Sequence, residues 1–395
     1  MRAFWQSLRR IGNVFLKSMR EIWRDWLTLS LSLVFAPLFI LLYYLITAGG
    51  STSYRVIVIN LDQGVAGSGG EMVSLGSEVI QAIEAVTYAD GQPMLRVSQA
   101  ASQAEAEAML RERAATAFVI LPTDLTRIIL AMQSGDTSQA VRITFGGDLT
   151  NPYYSVAGIL ALSAIEGYVQ KATGQLPLIE YTEAALGASG TRTEFEIYVP
   201  GILIFAVSML VFLAAMTAAR EVEAGTLQRL QLSRLSSFEL LIGLSLALVL
   251  VGLAAELLAY AAAVACGFHS QGPAWVVLLV GVLASLSVIG SGLIVAAFSR
   301  SVSQAFIIAN FPLALFMFFS GLIYPLPKVV IFSLGGQEIS LYDILPPTHA
   351  VAALNKVFVM GAGLSEVSYE LGALTVLTLL YFAFGGWLFK RTQMQ

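Results

Sequence analysis

The chain has 395 residues, of which 57% are apolar and 12% charged, with a formal net charge of −4. A soluble domain runs at about 45–50% apolar and about 25% charged. This balance, with a mean hydropathy of +0.76, excludes an ordinary soluble enzyme, a disordered chain and a nucleic-acid-binding arm.

Residues 2–25 repeat Phe4, Leu8, Ile11, Phe15, Ile22 and Trp26 at helical spacing, with Arg2, Arg9, Arg10, Lys17, Arg20 and Arg24 over much of the remainder. That pattern predicts residues 1–25 as a helix lying in the membrane interface, its basic face toward headgroups. Residues 26–48 form the first membrane span. Its apolar run exceeds the ~7–15 residues of a signal core and follows ~25 polar or amphipathic residues, so it reads as a retained span rather than a cleaved leader.

Residues 51–196 differ in composition, with sixteen acids against eight bases. Residues 54–60 read as a strand, followed by the turn Asp62-Gln63-Gly64 and a flexible loop over 61–70. Helical periodicity covers 71–87, and 95–97 is a short strand. Ser102 and Glu105 predict a capping box on a helix over 102–115. A buried strand at 117–121 stops at Pro122, and Thr123 is the expected cap of the next helix. A strand at 141–145 and a helix from Asn151 to about 173 complete a small α/β domain.

Four more spans follow beyond that domain and the second span at 197–219. Residues 240–299 carry one formal charge, Glu256, and the turn-rich 267–273 splits them in two. Residues 301–327 and 371–389 give the last two. The expected fold is an α-helical polytopic membrane protein with six transmembrane helices and an inserted α/β extracytoplasmic domain. Six crossings put both termini on one side. The basic residues at the N-terminus, at Arg220, Arg229, Arg234 and Arg300, and at Lys390 and Arg391 make that side the cytoplasm. Residues 51–196 and an outer segment at 324–368 then lie outside, and the loop at 220–237 lies inside.

No phosphate loop and no nucleophile elbow occur. With two histidines and the single Cys266, few soft metal ligands exist. His269 and His349 read as solvated or capping residues. An enzymatic reading has no anchor. In the inner loop, Leu227, Leu230, Leu232 and Leu235 alternate with Arg229 and Arg234, a short amphipathic helix suited to a groove on a cytoplasmic partner. A plain inner loop with the usual basic bias is the competing reading. Glu256 sits where a carboxylate costs ~2.5–3.5 kcal/mol on insertion scales. It should face protein or water, either lining a path, bonding to a nearby serine or Tyr260, or lying close to the outer interface.

The stretch Arg220-Glu221-Val222-Glu223-Ala224-Gly225-Thr226-Leu227 resembles the coupling-helix loop of permeases of the type-2 ABC exporter family. Phe319-Ser320-Gly321-Leu322-Ile323-Tyr324-Pro325-Leu326-Pro327 is similar to that family's Ser-Gly-x-x-x-Pro-x-x-x-Pro segment at the outer end of the fifth span. Leu345-Pro346-Pro347-Thr348 resembles its Leu-Pro-x-Thr. The inserted domain looks like that of the subgroup with a large extracytoplasmic insertion. Gln228, Ser233-Arg234 and Gly243-Leu244 depart from the pattern.

The resemblance implies that Arg220, Glu221, Glu223, Gly225, Thr226, Leu227, Arg229 and Arg234 couple to a separate ATPase. It implies that Phe319, Ser320, Gly321, Pro325 and Pro327, with Glu256, belong to a substrate path or gate, and that segments of 324–368 are re-entrant. This chain binds no cofactor on that reading; ATP and Mg belong to the partner. Expected partners are a cytoplasmic ABC ATPase dimer, a second permease subunit, the lipid bilayer and a periplasmic adaptor, with no nucleic acid. The expected setting is the inner membrane, and the expected cargo an amphipathic, drug-like or lipid-like molecule moving outward. The alternative is a membrane-anchored extracytoplasmic binding or assembly protein without an ATPase, with a membrane enzyme third.

Overall fold

The computed structural model describes residues 2–47, 53–66, 71–88, 91–112, 114–136, 138–147, 151–174, 193–226, 235–323, 329–334 and 337–393. It divides into two compact units, one made of Met1–Thr47 with Ala185–Gln395 and the other of Ala48–Ala184. The chain opens with helix α1 (Arg2–Arg24) and helix α2 (Trp26–Thr47). Asp25 joins them: its Oδ1 accepts from Thr28 Oγ1 at 2.9 Å and its backbone carbonyl from Leu29 N at 3.0 Å.

The second unit begins with β1 (Tyr54–Asn60), β2 (Val65–Ala66), β3 (Met72–Val73), α3 (Gly76–Glu84), β4 (Leu95–Gln99) and α4 (Gln103–Arg111). It continues with β5 (Ala117–Leu121), α5 (Leu125–Gln133), β6 (Thr144–Gly147) and α6 (Pro152–Thr173). The main sheet runs β4-β1-β5-β6; β1 is parallel to β4 and β5, and β6 is antiparallel to β5. A central parallel strand is covered on both faces, so its middle, Val56 to Ile59, is apolar on both. Val56 and Val58 pack with Val79, Ile83, Leu125, Ile129 and Ala161, while Ile57 and Ile59 pack with Ala106 and Phe118.

Three local expectations need correction in this unit. Thr123 does not cap α5; the N–H of Thr126 is taken instead by Asp62 Oδ1 at 3.0 Å, because the end of β1 lies beside that helix start. The last strand is Thr144–Gly147 and excludes Val141 and Arg142. Ser102 accepts from Glu105 N, but the Glu105 carboxylate accepts from Ala101 N at 2.8 Å, one residue before the cap. The expected flexible loop over 61–70 is described only to Ala66, where Val65–Ala66 pairs with Met72–Val73; residues 67–70 lie outside the described residues.

The first unit resumes with α7 (Glu194–Ser208) and α8 (Leu210–Glu223), one span interrupted at Met209. Glu194 and Glu196, grouped by composition with the inserted domain, open α7: Thr193 and Glu196 form its capping box, and Glu196 is buried. Then follow α9 (Ser237–Ala265), α10 (Trp275–Ala297), α11 (Val302–Phe319), the hairpin β7 (Val330–Leu334) and β8 (Gln337–Ser340), α12 (Pro346–Phe358) and α13 (Ser368–Gln393). Among the described residues, six helical segments are long and apolar enough to cross a membrane.

Apolar side chains gain little by leaving lipid for a neighbouring helix, so close backbone approach at small residues holds such bundles together. Helix α10 is where this concentrates. A Cβ at Gly292 would stand 2.6 Å from Ala214 Cβ, and one at Gly290 would stand 2.6 Å from the Tyr381 carbonyl oxygen. Thr378 Oγ1 donates across the same contact to Leu283 O at 3.0 Å. His349 is neither solvated nor capping: it is buried in α12, its Nε2 2.9 Å from Asp343 O and its ring edge-on to Tyr369.

Candidate functional site

The ends of several helices meet where the 220–237 loop begins. Arg220 Nη2 lies 2.7 Å from Asp25 Oδ2, at the joint between α1 and α2. Glu221 Oε1 lies 2.5 Å from Lys17 Nζ on α1, and its other oxygen accepts from Thr226 Oγ1. Glu223 Oε2 accepts from Val302 N at 2.8 Å, placing a negative charge at the N-terminus of α11, where the helix dipole favours it. Gly225 has φ +62°, a left-handed conformation that glycine adopts without the Cβ penalty. Each described charged residue of the predicted coupling segment is therefore tied to another element of its own unit. Leu227, Arg229 and Arg234 lie outside the described residues.

Sequence periodicity alone did not reveal the anchors Lys17 and Asp25, which are about two hundred positions away in the chain. Helix α1 is more than an interfacial float. Arg10 reaches both oxygens of Glu239 at 2.6 and 2.9 Å, and Ser7 Oγ adds a third bond at 2.6 Å. A Cβ on Gly243 would stand 2.6 Å from Val14 Cβ, so the glycine lets α1 cross α9 closely. Arg10 and Lys17, expected to face headgroups, are paired with carboxylates instead. The apolar set is split as well: Ile22 is buried at 2% exposure, while Phe4 and Trp26 are about two thirds exposed at 65% and 68%. Within α1 the split reflects the docking of one helix face on α9; Trp26 already belongs to α2.

Glu256 is fully buried, and neither of its oxygens has a hydrogen-bond partner among the described residues. The expected bond to a serine or to Tyr260 does not form. Gly281 of α10 faces the carboxylate so closely that a Cβ there would collide with Oε2. One turn away the pattern inverts, with Gly252 of α9 facing Ser285 of α10, 2.7 Å from a would-be Cβ to Ser285 Oγ. The Gly-x-x-x-polar spacing in both antiparallel helices, Gly252 to Glu256 and Gly281 to Ser285, is the sequence signal for this seam.

Phe319, Ser320 and Gly321 meet α7, α12 and the turn at Leu341–Ile344 around a cavity of about 200 Å³. Gly321 has φ +74°. Gly201 of α7 leaves room for the Leu322 carbonyl, which a side chain there would strike. The Phe319 ring stacks on Tyr342 with centroids 5.6 Å apart. Ser320 is buried and its hydroxyl has no partner among the described residues. Glu256 does not line this cavity, so the predicted path residues fall into two places. Pro325 and Pro327 lie outside the described residues.

Comparison with known families agrees with this architecture. The profile of the family described as ABC-2 family transporter protein matches residues 23–387. No curated protein matches the chain. The matched region takes in the inserted unit, five of the six apolar helical segments found among the described residues, and most of the sixth. The chain therefore belongs to the ABC-2 transporter family and is a multi-pass membrane permease component of an ABC transporter, a transport subunit and not itself the catalytic one, in a family whose permeases work with an ABC ATPase.

Proposed function

We propose that this permease belongs to an ATP-driven exporter, binds no cofactor itself, and is worked by a separate cytoplasmic ATPase dimer that holds the ATP and Mg. In this reading the ATPase engages residues 220–237 as a coupling helix on the cytoplasmic side, where both termini also lie. Two permease subunits, identical or related, pair in the inner membrane. The inserted unit stands outside, where it caps the exit or receives a periplasmic adaptor. An amphipathic, drug-like or lipid-like cargo follows from the apolar spans and the family likeness.

The observation that supports this is the anchoring of residues 220–223. Arg220 holds the α1–α2 joint, Glu221 holds α1, and Glu223 holds the start of α11. A push on the loop after Glu223 therefore reaches three elements at once, as a two-state switch requires. Arg229 and Arg234 remain the residues proposed to touch the ATPase, and Gly225 and Thr226 set the turn into that handle. Glu256 is the polar group that the α9–α10 seam keeps shut in one state and hydrates in the other. Residues 319–321, Pro325 and Pro327 form the outer part of the path.

Copurification with a coexpressed ATPase, followed by ATP hydrolysis and transport in vesicles, tests the reading. Wild-type chain is expected to bring the ATPase with it. Glu221→Ala, Glu223→Ala and Arg229→Ala are expected to lower coupled transport. Absence of an ATPase, with all three substitutions silent, would contradict it.

A further inference from the structure

The outer cavity has a chemical character of its own. Its described walls are mainly apolar, with aromatic rings from Tyr198, Phe319 and Tyr342, and one carboxylate, Asp343. One Asp343 oxygen accepts from Ser340 N at 2.8 Å. Among the described residues no lysine or arginine lines the cavity or pairs with Asp343. A half-buried carboxylate with no described cation beside it, set against aromatic rings, is a combination that recognises organic cations: the carboxylate pairs with the charge and the rings attract it through their quadrupole. The buried Ser320 hydroxyl, without a partner among the described residues, supplies a further polar contact.

Size narrows the class. A cavity of roughly 150 Å³ already admits benzene, and this one is about 200 Å³. We propose that it binds a lipophilic organic cation with a body of about one aromatic ring, its ammonium group near Asp343 and its ring or alkyl face on Phe319 and Tyr342. The occupant is a small whole molecule or the cationic end of a larger amphiphile. As a statement about cargo this rests on the permease reading; as a binding site it stands on the cavity alone.

The test is direct binding to the purified full-length chain in detergent, without an ATPase, using benzyltrimethylammonium, benzyl alcohol and benzenesulfonate. The cation is expected to bind at least about tenfold more tightly than the neutral or anionic probe. Asp343→Asn keeps an acceptor for Ser340 N and is expected to weaken the cation about tenfold while leaving benzyl alcohol unchanged. Phe319→Leu removes the ring, keeps an apolar side chain and is expected to weaken the cation more than benzyl alcohol. Equal binding of the three probes, no binding, or indifference to Asp343→Asn in a folded variant would overturn the site. Cation binding without any effect on ATP hydrolysis by the assembled transporter would instead leave the site standing and remove its role in transport.

Discussion

The carboxylate of Glu256 occupies the space that a side chain at Gly281 would need. The two residues sit on antiparallel neighbours, α9 and α10, and the contact repeats in mirror order at Gly252 and Ser285. Gly281→Ala should therefore overpack the seam and lower stability by about 1–3 kcal/mol, read as a fall in thermal midpoint in detergent. Adding Glu256→Ala should restore most of that loss. Independent, additive effects of the two substitutions would show that the residues do not touch.

Glu256→Gln separates shape from charge. The amide has the same outline and cannot ionise, so the thermal midpoint should hold or rise, because a buried carboxylate with no partner among the described residues is costly. If Glu256 works only as packing, transport should be unchanged as well. A selective loss of transport in a stable Glu256→Gln chain marks the carboxyl group itself as part of the gate.

The ion pair between Lys17 and Glu221 should be measurable but modest. The Lys17 side chain is 41% exposed and Glu221 is 12% exposed, so a double-mutant cycle should return about 0.5–1 kcal/mol of coupling. Asp25 is held below the usual carboxylate range, chiefly by its hydrogen bond from Arg220. Its contribution is thus present at neutral pH and lost as pH falls through its lowered value. Arg220→Ala should reduce that acid sensitivity, the bonds from Thr28 keeping the remainder. Gly243→Leu should lift α1 off α9 and expose residues 10–18 to faster hydrogen exchange.

In the inserted unit, Asp62 serves two helix starts. Its Oδ1 accepts from Thr126 N, and its Oδ2 accepts from Thr126 Oγ1 at 2.6 Å, Ser74 Oγ at 2.8 Å and Gly76 N at 3.3 Å. Burial pushes this carboxyl up, but the bonds from Thr126 and Ser74 and from the backbone outweigh it and leave it below the usual value. Stability from Asp62 is therefore full above the ordinary carboxylate range and fades as pH drops through the lowered value. Since a lost cap costs about 0.5–2 kcal/mol, Asp62→Ala should cost roughly 2–3 kcal/mol, seen as lost amide protection in residues 54–60. Unchanged protection in the variant at neutral pH would refute the double-cap role.

Much of this architecture was legible because it depends on near neighbours in sequence. Charge-free runs mark the spans, and β-branched runs mark β1 and β5. The helix expected from Asn151 to about 173 is α6, with Asn151 as its cap. What escaped depends on distant partners. Thr123 is a sound cap by type, but Asp62 reaches Thr126 from another strand. Arg10 and Lys17 look like headgroup ligands until Glu239 and Glu221 come within reach. The apolar face of α1 could not reveal which half would be covered by α9. For the site, residues 319–321 were found by motif, whereas Tyr198, Tyr342 and Asp343 join them only through folding.

The central claim is that a soluble ATPase drives this permease through the 220–237 segment. Cys266 is the single native cysteine, so a Cys266→Ser chain carrying Arg229→Cys offers one thiol for crosslinking to the coexpressed ATPase in membranes. Crosslinking that changes between nucleotide-free and ATP-bound conditions is the predicted result. A thiol at 229 that reacts only with reagents outside the cell, and never with the ATPase, would contradict the account.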